Sequence, residues 1–299
     1  MYTIGIDVGG TKTQGGVVDA RGRVVRRFRT DTNARAGRAA ILRAIETTVG
    51  ALRGPRVAGI GVGLAGFVDP KRGIFRRGPH LHSFENIPLA KILRAKFHKK
   101  VFLDNDANCF ALAEASVGAG RGKRFVVGLT LGTGIGGGIV MDGDIYHGAH
   151  NKAGELGHMM QLLRWNVPCA CGGYNHIEAL AGGKGMTAAY FRATGRRVDA
   201  REIEALYKRR NRAAIQVVHR ASEALGAGMA ATLTAFDPDI LVLGGGLIRF
   251  KDYVACGQKA LRKAFYKEPG RYSELAKTPV VLSKLGDDAQ VIGASLLVQ

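Results

Sequence analysis

Two stretches of this 299-residue chain echo one another. GIDVGGTKTQGGVVD, residues 5–19, aligns without a gap on GLTLGTGIGGGIVMD, residues 128–142. Gly5 matches Gly128, Gly9 matches Gly132, Gly15 matches Gly138, Val17 matches Val140 and Asp19 matches Asp142. The alternating positions keep apolar character: Ile4 and Val127, Ile6 and Leu129, Val8 and Leu131. Each stretch reads as an apolar strand, a Gly/Thr turn, a second strand and a polar turn. Chance alignment of two Gly-rich segments is the bland alternative. The stretches open the two halves of the chain, which points instead to a duplicated βββαβα unit.

Periodicity along the rest of the chain agrees. Strands are expected at 3–7, 14–18, 24–29, 57–62 and 101–103, with helices over 38–52, 88–97 and 107–117. In the second half, strands are expected at 125–131, 136–141, 240–243 and 279–282. Its helices are expected at 184–194, 200–208, 212–236, 250–265 and 289–297. Alternating strands and helices predict an α/β fold, with sheets covered by helices in two similar lobes and a cleft between them. The expected division is an N-terminal lobe of residues 1–117, with the final helix 289–299 packing on it, and a C-terminal lobe of residues 118–288.

Composition narrows the function classes. Hydrophobic residues at 46% and charged residues at 23% are ordinary for a soluble globular protein. The longest uncharged run, 125–141, is Gly-rich and too short and polar to span a bilayer. The amino terminus lacks the pattern of a secretory signal, so a cytoplasmic location is expected, with no membrane partner. The 43 glycines follow no three-residue period, which excludes collagen. Four cysteines are too few for a disulfide framework, and a close pair among them reads as metal-binding or redox-active. The net charge of +20, from 44 basic and 24 acidic residues, is the unusual bulk property. Basic clusters at 21–29, 94–100, 121–124 and 208–212 attract anions such as nucleotides or polyphosphate, or form a solvated surface. Aromatic residues are not interleaved with them, so no specific nucleic-acid partner is expected.

The glycines cluster in turns. Gly132-Thr-Gly-Ile-Gly-Gly137 fits G-x-G-x-x-G, but that fingerprint requires a helix next, and here a strand and an Asp-Gly turn follow. The better reading is a pair of hairpin turns whose backbone N–H groups form nests for phosphate oxygens. One holds Gly9, Gly10, Thr11, Lys12 and Thr13; the other holds Gly132, Thr133 and Gly134. Asp7, at the end of the first strand, is suited to hold Mg²⁺ through water. Gly244, Gly245 and Gly246 follow the strand DILVL, where a flat adenine can lie against backbone. In LDNDAN, Asp104 and Asp106 sit between a strand and a helix. Phosphoryl transfer to a hydroxyl needs such a carboxylate as base, but a helix N-cap favours the same residues, and the residues alone leave both open.

DVGGTKT at 7–13, DNDANCFALAEA at 104–115, LGTGIGGGIV at 131–140, AGELGHM at 153–159, CACGG at 169–173 and PDILVLGGGL at 238–247 occur in order. As a set they resemble the ROK family of bacterial sugar kinases and related repressors, over nearly the whole chain. The resemblance implies the actin/hexokinase-like fold and transfer of the γ-phosphoryl of MgATP to a hexose hydroxyl, the 6-OH of glucose first. It singles out Asp106 as base and Asn105 as a sugar contact, with Asp104 structural. It also assigns Glu155, His158 and Glu178 to sugar hydroxyls. Gly66 matches a sugar-side turn, although the family usually has Pro where Ala65 stands. Homodimers are common in the family.

His158, Cys169 and Cys171 read as ligands of a structural Zn²⁺, which needs one more. The family run is typically C-x-C-G-x-x-G-C-x-E, whereas this chain has Asn175 and His176 where Gly and the third Cys are usual. Imidazole is a good zinc ligand, so a Cys2His2 site is expected. Cys109 and Cys256 are expected to be buried packing residues. The leading expectation is therefore an ATP-dependent hexose kinase. The alternatives are an N-acetylglucosamine or N-acetylmannosamine kinase, and a glucokinase using polyphosphate. From other classes come a silent scaffold, which Asp106 argues against, and a sugar-responsive repressor. Family repressors carry a helix-turn-helix before the kinase-like part, and here DVGG begins at residue 7.

Overall fold

The computed structural model describes residues 1–81, 83–159, 166–265 and 274–298. Contacts divide the chain into two units: Met1–Gly128, Gly138–Gly154 and Ser283–Gln299 form the first, and Leu129–Gly137 and Glu155–Leu282 the second.

The first copy of the repeat begins with an antiparallel meander of β1 (Tyr2–Val8), β2 (Lys12–Asp19) and β3 (Val24–Asp31). Helix α1 (Arg38–Leu52) leads to β4 (Val57–Leu64), which lies parallel to β1. A small hairpin of β5 (Phe67–Asp69) and β6 (Ile74–Arg77) follows. Then α2 (Leu89–Phe97), β7 (Lys100–Asn105), parallel to β4, and α3 (Asp106–Ser116) complete the copy. The sheet order is β3-β2-β1-β4-β7.

The second copy runs through β8 (Phe125–Leu131), β9 (Ile135–Met141) and β10 (Asp144–Ile145). Next come α4 (Ile177–Ala181), α5 (Gly183–Thr194), α6 (Ala200–Lys208) and α7 (Arg212–Phe236). It ends with β11 (Ile240–Gly244), α8 (Lys251–Phe265), β12 (Val280–Leu282) and α9 (Ala289–Leu296). Its sheet order is β10-β9-β8-β11-β12, the same path as in the first copy. The duplicated α/β architecture expected from the glycine echo is therefore present. The strands β5 and β6 and the short α4 were not anticipated; each is too brief to show a period.

Burial follows the expected stripes. On α1, Ile41, Ile45, Val49 and Leu52 face inward and join Ile4, Ile6 and Val62 of the sheet in one core cluster. Truncating a buried Ile such as Ile45 to Ala costs about 2–5 kcal/mol. Helix α9 lies so close to the first sheet that a Cβ on Gly5 would stand 1.8 Å from the Val291 carbonyl oxygen, and one on Gly61 1.7 Å from that of Ala294. The glycines of β1 and β4 thus admit a helix backbone where a side chain would exclude it. In the second unit α7 and α8 cross closely at Gly226 and Gly257. Cys109 is buried, as expected, whereas Cys256 is half-buried. On α8 the buried stripe is Tyr253, Val254, Gly257 and Leu261, which leaves position 256 on its flank.

Strand β3 explains one basic cluster: it is an edge strand, and Arg26 and Arg27 are exposed on it. Charge on an edge discourages pairing with another chain. Among the described residues no helix is long and apolar enough to cross a membrane.

Candidate active site

In the first unit, three carboxylates gather at the carboxyl ends of β1 and β7. Asp104 is fully buried and fully occupied. Its Oδ1 accepts from Asn105 N (2.7 Å) and Asn108 Nδ2 (2.8 Å), and its Oδ2 meets His147 Nε2 at 2.7 Å. That bond raises the His147 pKa. Asn105 is the N-cap of α3: its Oδ1 accepts from Ala107 N (2.8 Å) and Asn108 N (3.2 Å). Its Nδ2 donates to the Gly66 carbonyl at 3.0 Å. Gly66 has φ +149°, and a Cβ there would lie 2.4 Å from the Arg77 carbonyl oxygen, so only glycine fits that turn.

Because Asn105 takes the capping role, Asp106 does not. Its half-buried carboxylate accepts backbone N–H groups at the helix start, that of Ala107 at 3.0 Å. Burial raises its pKa above the ordinary carboxylate value. Asp7 is pushed up to about 7, first by burial and then by the negative charge of Asp106, with Lys12 and Gln14 acting in the opposite sense. Gln14 Nε2 donates to Asp7 Oδ2 (3.2 Å) and to the Asp287 carbonyl (3.1 Å). Cys109 lies beneath this group, where burial and the charges of Asp104, Asp106 and Asp7 hold its thiol well above its usual pKa. The β1–β2 turn is closed by Gly9 N to the Lys12 carbonyl (3.0 Å), and Gly10 packs on His80. The Thr11 carbonyl accepts from Thr32 N (2.9 Å). Thr13 is not offered to the turn: it is buried, and its hydroxyl is shared with Thr32 at 2.9 Å.

The second unit holds the other candidates. In the β8–β9 turn, Gly132 N donates to the Gly134 carbonyl (2.9 Å). The amino end of α5 is tied to the same turn, through Gly183 N to the Gly132 carbonyl (2.9 Å) and Lys184 N to the Thr133 carbonyl (3.0 Å). Glu178, on α4, sits against it: Oε2 accepts from Ile135 N at 3.0 Å, and a Cβ on Gly134 would come within 2.0 Å of that oxygen. Glu178 Oε1 lies 3.9 Å from Cys169 Sγ. The turn, the sugar-contact candidate and the metal candidates are thus contiguous. Gly245, after β11, has φ +84° and packs on the Leu131 backbone, whereas Gly246 faces open space.

The ligand atoms of His158, Cys169, Cys171 and His176 all lie within 4.8 Å of one another. His158 Nδ1 and His176 Nδ1 are 3.4 Å apart, Cys171 Sγ and His176 Nδ1 3.1 Å, and Cys169 Sγ and His158 Nδ1 4.0 Å. A tetrahedral ion with Zn–N of about 2.0–2.1 Å and Zn–S of about 2.3 Å requires edges of roughly 3.3–3.8 Å. The two-sulfur, two-nitrogen donor set and its spacing therefore fit zinc, with His176 in the third cysteine's place. His158 has two roles open to it, because its other nitrogen, Nε2, is 3.6 Å from Glu155 Oε2. Burial raises Cys169 to about 11 and, with His158, lowers His176.

His147 and Gln14 were missed by the sequence reading. Their partners are 43 and up to 273 residues away, and nothing in the neighbouring sequence marks either side chain as a partner of a carboxylate.

The chain matches the ROK family over residues 3–299. It is 32% identical over 315 residues to a glucokinase of Thermotoga maritima, covering 100% of this chain and 98% of that protein. It is 36% identical over 252 residues to an N-acetyl-D-glucosamine kinase of Haemophilus influenzae, covering 81% of this chain and 80% of that protein. A ROK family glucokinase from Streptomyces griseus, solved with glucose and AMPPNP, superposes with a TM-score of 0.85 at 28% identity, covering 99% of each chain. A match across the whole chain, joined to relatives above 30% identity, establishes that the chain belongs to the ROK family.

Proposed function

We propose that this chain is an ATP-dependent hexose kinase that moves the γ-phosphoryl of MgATP to the 6-hydroxyl of glucose. The observation that carries this reading is the division of labour at the start of α3. Asp104 is committed to its neighbours and Asn105 caps the helix, so Asp106 alone keeps a carboxylate for a substrate proton. Its raised pKa brings it closer to the operating pH, where a general base works best. The base accepts the proton as the sugar oxygen attacks phosphorus.

Asp7 suits a hard cation held through water. Burial and the adjacent Asp106 charge oppose its ionisation, and a cation would restore it. Bound Mg²⁺ supplies neutralisation of phosphate charge. In the second unit, Glu155, His158 and Glu178 take the sugar hydroxyls, and His158, Cys169, Cys171 and His176 hold a structural zinc. The turns at Gly9–Lys12 and Gly132–Gly134 receive phosphate oxygens, and the open Gly246 after β11 receives adenine. Thr13 shapes its hairpin rather than donating to phosphate.

The second reading is an N-acetylglucosamine kinase, favoured by the 36% identity to one. A panel of glucose, N-acetylglucosamine and N-acetylmannosamine, each with ATP or polyphosphate, separates these readings. We expect glucose with ATP to give the highest kcat/KM. A preference for an N-acetylated sugar or for polyphosphate moves the substrate and leaves Asp106 in place, whereas no turnover with any pair removes the kinase reading. The family resemblance also implies a homodimer, which mass measurement in solution checks.

A further inference from the structure

The basic cluster at residues 94–100 plays no part in the proposed transfer, yet the fold gives it a cavity. At the opposite end of the first sheet from Asp7 and Asp106, the loops α1–β4 and α2–β7 border an open cleft of about 450 Å³. Its floor is apolar, made by Ile4, Val49, Ile60 and Phe97. Its rim is basic: Arg53 and Pro55 come from one loop, His98 and Lys99 from the other. Lys96 also lines it but is engaged by Glu46 at 2.5 Å. Among the described residues, no carboxylate pairs with the side chains of Arg53 or Lys99.

A volume of this size is in the range that takes a small organic ligand. An apolar floor beneath unpaired cations selects one chemical class, because each half of the site rejects the opposite kind of group. We infer a second ligand site here, for a small dianion with an apolar body, such as an aryl or alkyl phosphate. The anionic head meets Arg53 and Lys99, with His98 beside them, and the body lies on Val49, Ile60 and Phe97. The site stands at the amino ends of β4 and β7 and reaches β1 at Ile4. All three strands carry the candidate catalytic loops at their other ends.

Isothermal titration of the full chain with phenyl phosphate tests this, in saturating glucose and AMPPNP so that the proposed substrate site is filled. We expect one site per chain. Affinity should fall at least about tenfold in Arg53→Glu/Lys99→Glu, which corresponds to about 1.4 kcal/mol, and stay within about twofold in Arg209→Glu/Arg212→Glu. Inorganic phosphate should bind more weakly than phenyl phosphate, since it leaves the floor unused. Arg53 is exposed and Lys99 half-buried, and Arg53→Gln/Lys99→Gln repeats the test with a gentler change. No saturable binding, equal losses in the two double variants, or phosphate binding as tightly as phenyl phosphate would each overturn the site.

Discussion

The β1–β2 and β8–β9 turns descend from the same repeat, yet they are supported differently. The first is backed by a carboxylate of its own strand, Asp7, steadied by Gln14 of the partner strand. The second has Thr130 where the first has Asp7, and no carboxylate of its own. Its carboxylate arrives from elsewhere, as Glu178 on α4, together with backbone N–H groups from α5. The source is an insertion. In the first copy the third strand leads through a short connection to α1, whereas in the second a Cys/His loop and three helices stand between β10 and α7. The duplication supplies two equivalent scaffolds, and unequal insertions give them different chemistry. On the proposed reading the base and the cation carboxylate stand in the first unit, and Glu178 and the zinc candidates in the second.

That separation breaks most sharply at Asp106. In Asp106→Asn we expect kcat to fall by about 10²–10⁴, the usual worth of a general base, with sugar binding within a few-fold of the parent. Calorimetry with sugar and a coupled assay read the two quantities independently. Near-normal turnover would remove Asp106 from the base role, and a matching loss of sugar affinity would show that the two functions are not separable.

The converse variant is Cys169→Ser/Cys171→Ser. We expect elemental analysis to show one zinc per chain in the parent and none in the variant. Loss of metal-centre support typically costs about 10–100-fold in affinity or activity. Here it should fall mainly on the sugar KM, because His158 is one of the proposed ligands and Glu178 lies against Cys169. Fluorescence or circular dichroism should show the chain still folded when sugar affinity is already lost. Zinc retained in the double variant, or a fall in kcat with unchanged KM, contradicts the assignment.

A paired substitution sharpens the contrast between the turns themselves. Gly134→Ala places a methyl 2.0 Å from the Glu178 carboxylate, whereas Gly9→Ala meets its nearest neighbour, the Lys12 carbonyl oxygen, at 3.4 Å. Displacing Glu178 also strands the Ile135 N–H, an unmet donor worth about 1–3 kcal/mol. Gly134→Ala should therefore raise the sugar KM several-fold and lower Tm, and Gly9→Ala should change both little. Equal effects of the two substitutions would mean that the turns are supported alike.

How much of this was legible in the sequence depended on range. Helix α7 shows its boundaries because 25 residues carry several turns of apolar period, from Val217 through Leu233. The glycine echo marked both meanders because close helix-on-sheet packing at Gly5 tolerates nothing larger. The Cys/His cluster was readable because its ligands lie within one loop and one 3₁₀ turn. The residue that caps α3 was not readable: Asp104, Asn105 and Asp106 are all good caps, and only geometry shows that Asn105 takes the role. Thr13 misled for a related reason. A Thr beside a Gly turn looks like a phosphate donor, but strand alternation turns it inward to Thr32. His147 on Asp104 had no local signal, since pairing across 43 residues is a property of the fold.

The smallest expected effect concerns stability and pH, and it falls on the first turn alone. Asp7 has a folded pKa of about 7 against an ordinary value of 3.8. Between those pH values the folded chain binds more protons at this site than the unfolded chain does. Stability contributed by Asp7 therefore falls as pH rises from about 4 to 7 and is level above that. Asn has the same shape and no proton to lose. In chelator-treated, nucleotide-free protein, Asp7→Asn should have a Tm close to the parent's near pH 4 and above it at pH 8. Turnover should nonetheless be reduced, because the same carboxylate is proposed to hold Mg²⁺ through water. The corresponding substitution across the repeat, Thr130→Asn, carries no such pH signature, since Thr does not titrate. Any change in stability that it makes should be the same at every pH. A Tm gap between parent and Asp7→Asn that stays constant from pH 4 to 8 would show that Asp7 ionises normally, and that the first turn does not concentrate negative charge for a cation.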